Sequence, residues 1–190
     1  MMFGNKKKQL VWLLFGVVIL GYLYRYSPYK IEGIGYYNKI WAHRANSIDK
    51  ANSAANYFNG FELDLIYNEI SNTFDINHPT TESIGLTFET YLNKIEVNEQ
   101  PFMWLDIKNL KTDNSALIFK RLDMLFSKNN FKKSKALVES KYPEALEIFN
   151  AFGYKTCYYL PTKLYTSSKK ELSEQINIIK SKLKKQPYLA

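Results

Sequence analysis

Cysteine is nearly absent from this chain: Cys157 stands alone, so neither an intramolecular disulfide nor a cysteine-built zinc site can form. It lies in Lys155-Thr156-Cys157-Tyr158-Tyr159, a strand-like stretch in which a lone thiol packs as a small apolar group. Histidine is almost as scarce, with only His43 and His78. Eight glycines occur in 190 residues, and none builds a glycine-rich loop between a strand and a helix, which counts against a nucleotide-binding open sheet. Internal repeats and low-complexity tracts are lacking. Acids are missing from residues 1–30, which carry five Lys/Arg, while 163–190 carry seven Lys against two Glu. The net charge of +8 therefore sits at the two ends and leaves the middle slightly acidic. A nucleic-acid-binding domain has the opposite distribution, so nucleic acid is not expected as a partner.

What is present is a core. The chain is 46% hydrophobic and 16% aromatic, which argues against disorder, and its length suits one domain. Residues 1–9 form a basic amino end with Lys6-Lys7-Lys8. Residues 10–25 are apolar enough for a transmembrane signal anchor, with Tyr22, Tyr24 and Tyr26 as interfacial residues. Positive charge ahead of the run sends the remainder to the extracytoplasmic side of the cell membrane, single-pass. A cleaved signal peptide is the alternative, but no Ala-x-Ala-like site follows. Residues 26–37 read as a tether, and 38–190 as the folded domain.

From residue 38 strands and helices alternate. Strands are expected over 39–43, 61–66, 73–77, 102–107, 135–139 and 154–160. Helices are expected over 48–58, 87–96, 115–129, 143–152 and 168–185, with Ser47 as N-cap of the first and Asn59-Gly60 as its C-terminal stop. Such alternation implies a largely parallel sheet, open or closed as a barrel. The polar residues fall at the carboxyl ends of successive strands, where barrel enzymes keep their chemistry.

Those polar residues form an ordered set. Ile40-Trp41-Ala42-His43-Arg44 ends a strand in His-Arg. In Gly60-Phe61-Glu62-Leu63-Asp64-Leu65, alternation puts Glu62 and Asp64 on one face. Adjacent carboxylates repel and resist burial unless a cation lies between them. His78 follows the third strand, and Trp104-Leu105-Asp106-Ile107-Lys108 adds another acid and a lysine. Each has a plain structural reading too: a surface His-Arg, a solvated strand face, an ordinary Asp–Lys ion pair.

The ordered set His43-Arg44-Ala45, Ala51-Asn52, Gly60-Phe61-Glu62-Leu63-Asp64, His78 and Asp106-Ile107-Lys108 resembles the glycerophosphodiester phosphodiesterase family. That family belongs to the phospholipase-C-like phosphodiesterases, and sphingomyelinase-D-like and menorin-type proteins share the skeleton. The resemblance covers residues 39–110 well and 111–160 by element order alone. It implies a TIM-type (β/α) barrel and a metal-dependent hydrolase of glycerophosphodiesters or related lipid headgroups. It also implies His43 and His78 as catalytic acid and base, in an order it does not give. Glu62, Asp64 and Asp106 would be ligands of Mg²⁺ or Ca²⁺, the ion suited to hard oxygen donors. Arg44 and Lys108 would hold the phosphoryl group, and Asn52 would orient the first loop.

The chain departs from the family pattern in three ways. Ala45 replaces a glycine, and Pro79 replaces the acid after the second histidine. A full barrel takes about 250 residues, whereas only about five βα units fit here. An incomplete or truncated barrel is therefore expected, with self-association through its open edge. A membrane-anchored, catalytically degenerate barrel that binds a phosphoryl ligand without turnover is the alternative. Lys180, Lys182, Lys184 and Lys185 are read as a solvated helix face or a contact with anionic lipid.

Overall fold

A computed structural model describes residues 3–27, 39–96 and 99–186. The chain divides into two compact units, Met1–Ile40 and Trp41–Ala190. In the first, one helix, α1 (Phe3–Tyr26), has a 20-residue stretch, Lys7–Tyr26, of mean hydropathy 1.4, long and apolar enough to cross a membrane. Its 24 residues rise roughly 36 Å, enough for a hydrocarbon core of about 30 Å. From residue 28 on, the expected tether lies outside the described residues.

The second unit is a mixed α/β domain. Its elements are α2 (Ile48–Ala55), β1 (Gly60–Asn68), β2 (Thr73–Ile76), α3 (Phe88–Lys94), β3 (Phe102–Ile107), α4 (Ser115–Lys128), β4 (Ala136–Ser140), α5 (Glu147–Ala151), β5 (Lys155–Tyr158) and α6 (Lys169–Lys185). The strands form one sheet in the order β2-β1-β3-β4-β5. β2 pairs antiparallel with β1, and every other pairing is parallel. The sheet is open: among the described residues no barrel closes. The expected strand over 39–43 is reduced to a single parallel bridge, Ala42 to Phe61. β1 explains why, since its outer edge is shared, with the Ala42 segment on its first residues and β2 on its last.

Local signals account for most boundaries. Ser47 caps α2 by accepting from Lys50 N–H, and Ser168 caps α6 in a reciprocal box with Glu171. Gly153, at φ +91°, turns the chain out of α5. Gly60, expected to end α2, lies instead inside β1. A Cβ there would stand 2.7 Å from the Phe102 carbonyl oxygen and 3.0 Å from the Trp41 ring, so strand contact, not helix termination, requires the glycine.

Alternation divides the sheet into two unlike faces. On one, Phe61, Leu63, Leu65, Met103, Leu105, Ala136 and Val138 are buried against Ala51, Phe88, Tyr91, Ile118, Leu122, Phe126 and Phe149 of the helices. Each fully buried Leu or Phe contributes about 2–3 kcal/mol. Glu89 of α3 joins both Arg121 (2.8 Å) and Lys128 (2.7 Å) of α4, tying the helical layer together. The other face carries Glu62 and Asp64 of β1, Trp104 and Asp106 of β3, and Glu139 of β4. Register aligns Asp64, Asp106, Glu139 and Cys157 in one row across four strands.

Candidate metal centre

The turn after Ala42 wraps a backbone around Glu62. Ala42 and Ala45 both donate backbone N–H groups to β1, to Gly60 O and Glu62 O. Between them Arg44 adopts φ +54°, a left-handed conformation that costs a non-glycine residue about 1–2 kcal/mol. In that conformation the Arg44 N–H donates to Glu62 Oε2 at 2.6 Å. His43 Nε2 lies 3.6 Å from the same oxygen, and its side chain is 74% exposed. Ala45 is wholly buried, and its carbonyl accepts from Tyr91 Oη at 3.1 Å.

Asp64, with no exposed surface, is the most constrained acid. Asn46 Nδ2 donates to its Oδ2 at 2.8 Å while the Asp64 N–H donates to Asn46 Oδ1 at 3.0 Å. Arg44 Nε stands 3.5 Å from Oδ2. Oδ1 has no aligned hydrogen-bond donor among the described residues and is met as an ion pair by Lys108 Nζ at 2.6 Å. The same ammonium also pairs with Asp106 Oδ2. Lys108 thus sits between acids from β1 and β3, its backbone N–H bonded to Leu65 O.

Charge follows contact. Burial works to raise the Asp64 pKa, but the close Lys108 ammonium and the Asn46 hydrogen bond, with the charge of His78, outweigh it and hold the group below the usual carboxylate range. Glu62 is raised, by burial first and by the Asp64 charge, against the pull of the Arg44 N–H. Lys108 is held high because its two carboxylates outweigh burial.

Glu62, Asp64 and Asp106 each offer an oxygen within 4.8 Å of the others'. Three hard donors so spaced, two of them now met by the Lys108 ammonium in the place of a cation, fit a divalent cation bound through oxygen. This group can hold a metal ion. No protein family, curated protein or solved structure matches the chain.

His78 borders a cleft of ≈ 280 Å³ that it shares with Asp106 and Lys108. Its Nδ1 is engaged by Thr80, through the hydroxyl at 2.7 Å and the N–H at 3.3 Å. Of the residues singled out in the sequence, His43, Arg44, Glu62, Asp64, Asp106 and Lys108 come together, with His78 alongside. Asn52 does not join them: its Oδ1 accepts from Glu96 N–H at 2.9 Å, tying α2 to the segment after α3. The loop-orienting amide is Asn46, one residue before the Ser47 cap.

Glu139 completes the picture and was not singled out from the sequence. Almost buried, it accepts from Trp104 Nε1 at 3.1 Å and lies beside Asp106 in register. Burial, reinforced by the Asp106 charge, pushes its pKa up to about 7. Cys157 Sγ is 3.9 Å from Glu139 Oε1, and burial with that neighbouring charge raises the thiol to about 11, so it is not a thiolate nucleophile at neutral pH. Alternation along Ala136-Leu137-Val138-Glu139 was the available signal, once register set Glu139 next to Asp106.

Proposed function

We propose that the chain is a metal-dependent phosphodiester hydrolase of the glycerophosphodiester phosphodiesterase kind. On this reading it is anchored by α1 with its domain on the extracytoplasmic side, as the lysines ahead of the span favour. The observation that carries the reading is the meeting of three carboxylates from two strands within 4.8 Å. His43 stands at the Glu62 end and His78 at the Asp106–Lys108 end. Sequential parallel strands with helices on one face also suit a segment of a (β/α) barrel, whose lumen would be the acid-bearing face.

Glu62, Asp64 and Asp106 would hold the cation, which supplies charge neutralisation at the phosphoryl oxygens. One imidazole takes the proton of the attacking water as its oxygen bonds to phosphorus. The bond from phosphorus to the leaving alcohol breaks, and the other imidazole returns a proton to that alcohol. Thr80 occupies Nδ1 of His78, so Nε2 is the nitrogen left for proton transfer. Arg44 and Lys108 bind the phosphoryl oxygens, Lys108 as a point charge. Hydrolysis of glycerophosphodiesters and lysophospholipids with and without EDTA is the test. Chelation, His43→Ala and Glu62→Ala should each reduce turnover roughly a hundredfold or more; full turnover in both variants overturns the mechanism.

A second reading has an observation in its favour. Lys108 already neutralises Asp64 and Asp106, so a metal must compete with a resident ammonium. If Lys108 keeps that place, the domain is a binder of phosphoryl groups without turnover.

A further inference from the structure

We propose that the cleft beside His78 is the subsite for the alcohol carried on phosphorus, and that it selects a hydroxyl-rich alcohol such as inositol against a quaternary ammonium such as choline. This rests on the phosphodiester reading. Three of the cleft's walls, His78, Asp106 and Lys108, belong to the site already described; the others include Lys141, Tyr142 and Tyr159, from the segments after β4 and β5.

The cleft is built, not incidental. Ser140, at the end of β4 and buried, donates its hydroxyl to Leu110 O at 3.0 Å. Its Oγ accepts from the Tyr142 N–H at 3.0 Å, and its carbonyl accepts from the Tyr159 N–H at 2.9 Å. One residue thus pins the segments following β3, β4 and β5 around a single space. At ≈ 280 Å³ that space is near the lower end for small-ligand sites, a polyol's scale and not an acyl chain's.

Its chemistry is selective. Two tyrosines alone would form an aromatic wall attractive to a quaternary ammonium. Here the Lys141 ammonium stands 5.2 Å from the centre of the Tyr159 ring, occupying that face with a cation. Among the described residues no carboxylate pairs with Lys141, and neither the Tyr142 nor the Tyr159 hydroxyl has a hydrogen-bond partner. The ammonium and the two phenols present donors to alcohol oxygens, and the ammonium, lying over the Tyr159 face, repels a trimethylammonium group from it.

The test uses the full chain in detergent micelles. Binding of glycerophosphoinositol and glycerophosphocholine to the His43→Ala protein, where turnover is suppressed, is measured by calorimetry. The inositol diester should bind roughly tenfold more tightly, the scale of one charge-assisted contact. Adding Lys141→Ala should erase the difference, and Lys141→Glu should reverse it. Tyr159→Phe, which keeps the ring, should weaken the inositol diester alone. Equal affinities, no binding of either diester, or a preference that survives Lys141→Ala overturns the proposal. Hydrolysis of bis(4-nitrophenyl) phosphate by the unaltered protein, which has no polyol to recognise, scores the phosphodiesterase reading separately.

Discussion

Asp64 and Glu139 lie in the same row across the sheet, with Asp106 between them, and both are buried. Their surroundings drive them in opposite directions. Asp64 has an ammonium, an amide and a guanidinium around it and is held ionised. Glu139 has one indole N–H and a neighbouring negative charge, and it favours the proton. Strand position supplies burial to both; the loops decide the charge. At the β1 end, the His43-Arg44-Ala45-Asn46 turn and Lys108 deliver donors. At the β4 end no equivalent group arrives, so over two strand spacings the row grades from a carboxylate held ionised to one that binds its proton more readily.

Removing Lys108 should break that contrast most severely. Lys108→Ala leaves Asp64 and Asp106 facing each other without their cation, a loss of about 3–5 kcal/mol in urea denaturation. Millimolar Mg²⁺ or Ca²⁺ should recover part of it. A loss below about 1 kcal/mol, or no response to either ion, removes the basis for treating these acids as one cation-seeking group.

Glu139 sharpens the comparison from the other end. Its folded pKa of about 7 lies above the ordinary carboxylate value, so the folded state holds the proton more tightly than the unfolded chain. Its contribution to stability is therefore complete below about pH 4.5 and is lost as pH rises towards 7, by up to roughly 3 kcal/mol. Glu139→Gln should flatten this dependence, raising the melting temperature at pH 8 and leaving it nearly unchanged at pH 4. Equal effects at both pH values would mean that the Glu139 pKa is not raised in the folded state.

Asn46→Ala withdraws two hydrogen bonds from Asp64 and should cost about 2 kcal/mol. It should also move the Asp64 titration upward, towards the behaviour of Glu139. The smallest expected change is Arg44→Gly. Relief of the left-handed strain should offset the lost ion pair to within about 1 kcal/mol, while phosphodiester turnover falls. A large loss of stability would show that the guanidinium, and not the backbone N–H on Glu62, holds the turn.

Much of this arrangement is legible in the sequence. Phe102–Ile107 forms the strand expected over 102–107 because Pro101 opens a short apolar run there. Ser168 marks the start of α6 because a capping serine with Glu171 three residues on is a local signal. Glu62 and Asp64 share a face for the same reason that Leu63 and Leu65 share the other. What could not be read depends on distant partners. Asn46 reaches a carboxylate 18 residues away, with no spacing rule to announce it, whereas Asn52 sits at a motif position yet bonds to Glu96. Gly60 carries two possible meanings, and only the approach of Phe102 selects one. Whether the sheet closes is likewise a property of pairing, which repeating strand–helix units leave open.

The two borders of the sheet differ as well. Beyond β2, the Leu86–Thr87 segment already engages the strand, Ile76 N–H donating to Leu86 O and Asp75 bridging Thr87. Beyond β5, no strand pairs with Lys155–Tyr158 among the described residues. Extension of this sheet is therefore vectorial: an incoming segment finds a docking rail on one flank and a finished hem on the other. Any extra layer of backbone, from whatever source, inherits the orientation of β5 as its template.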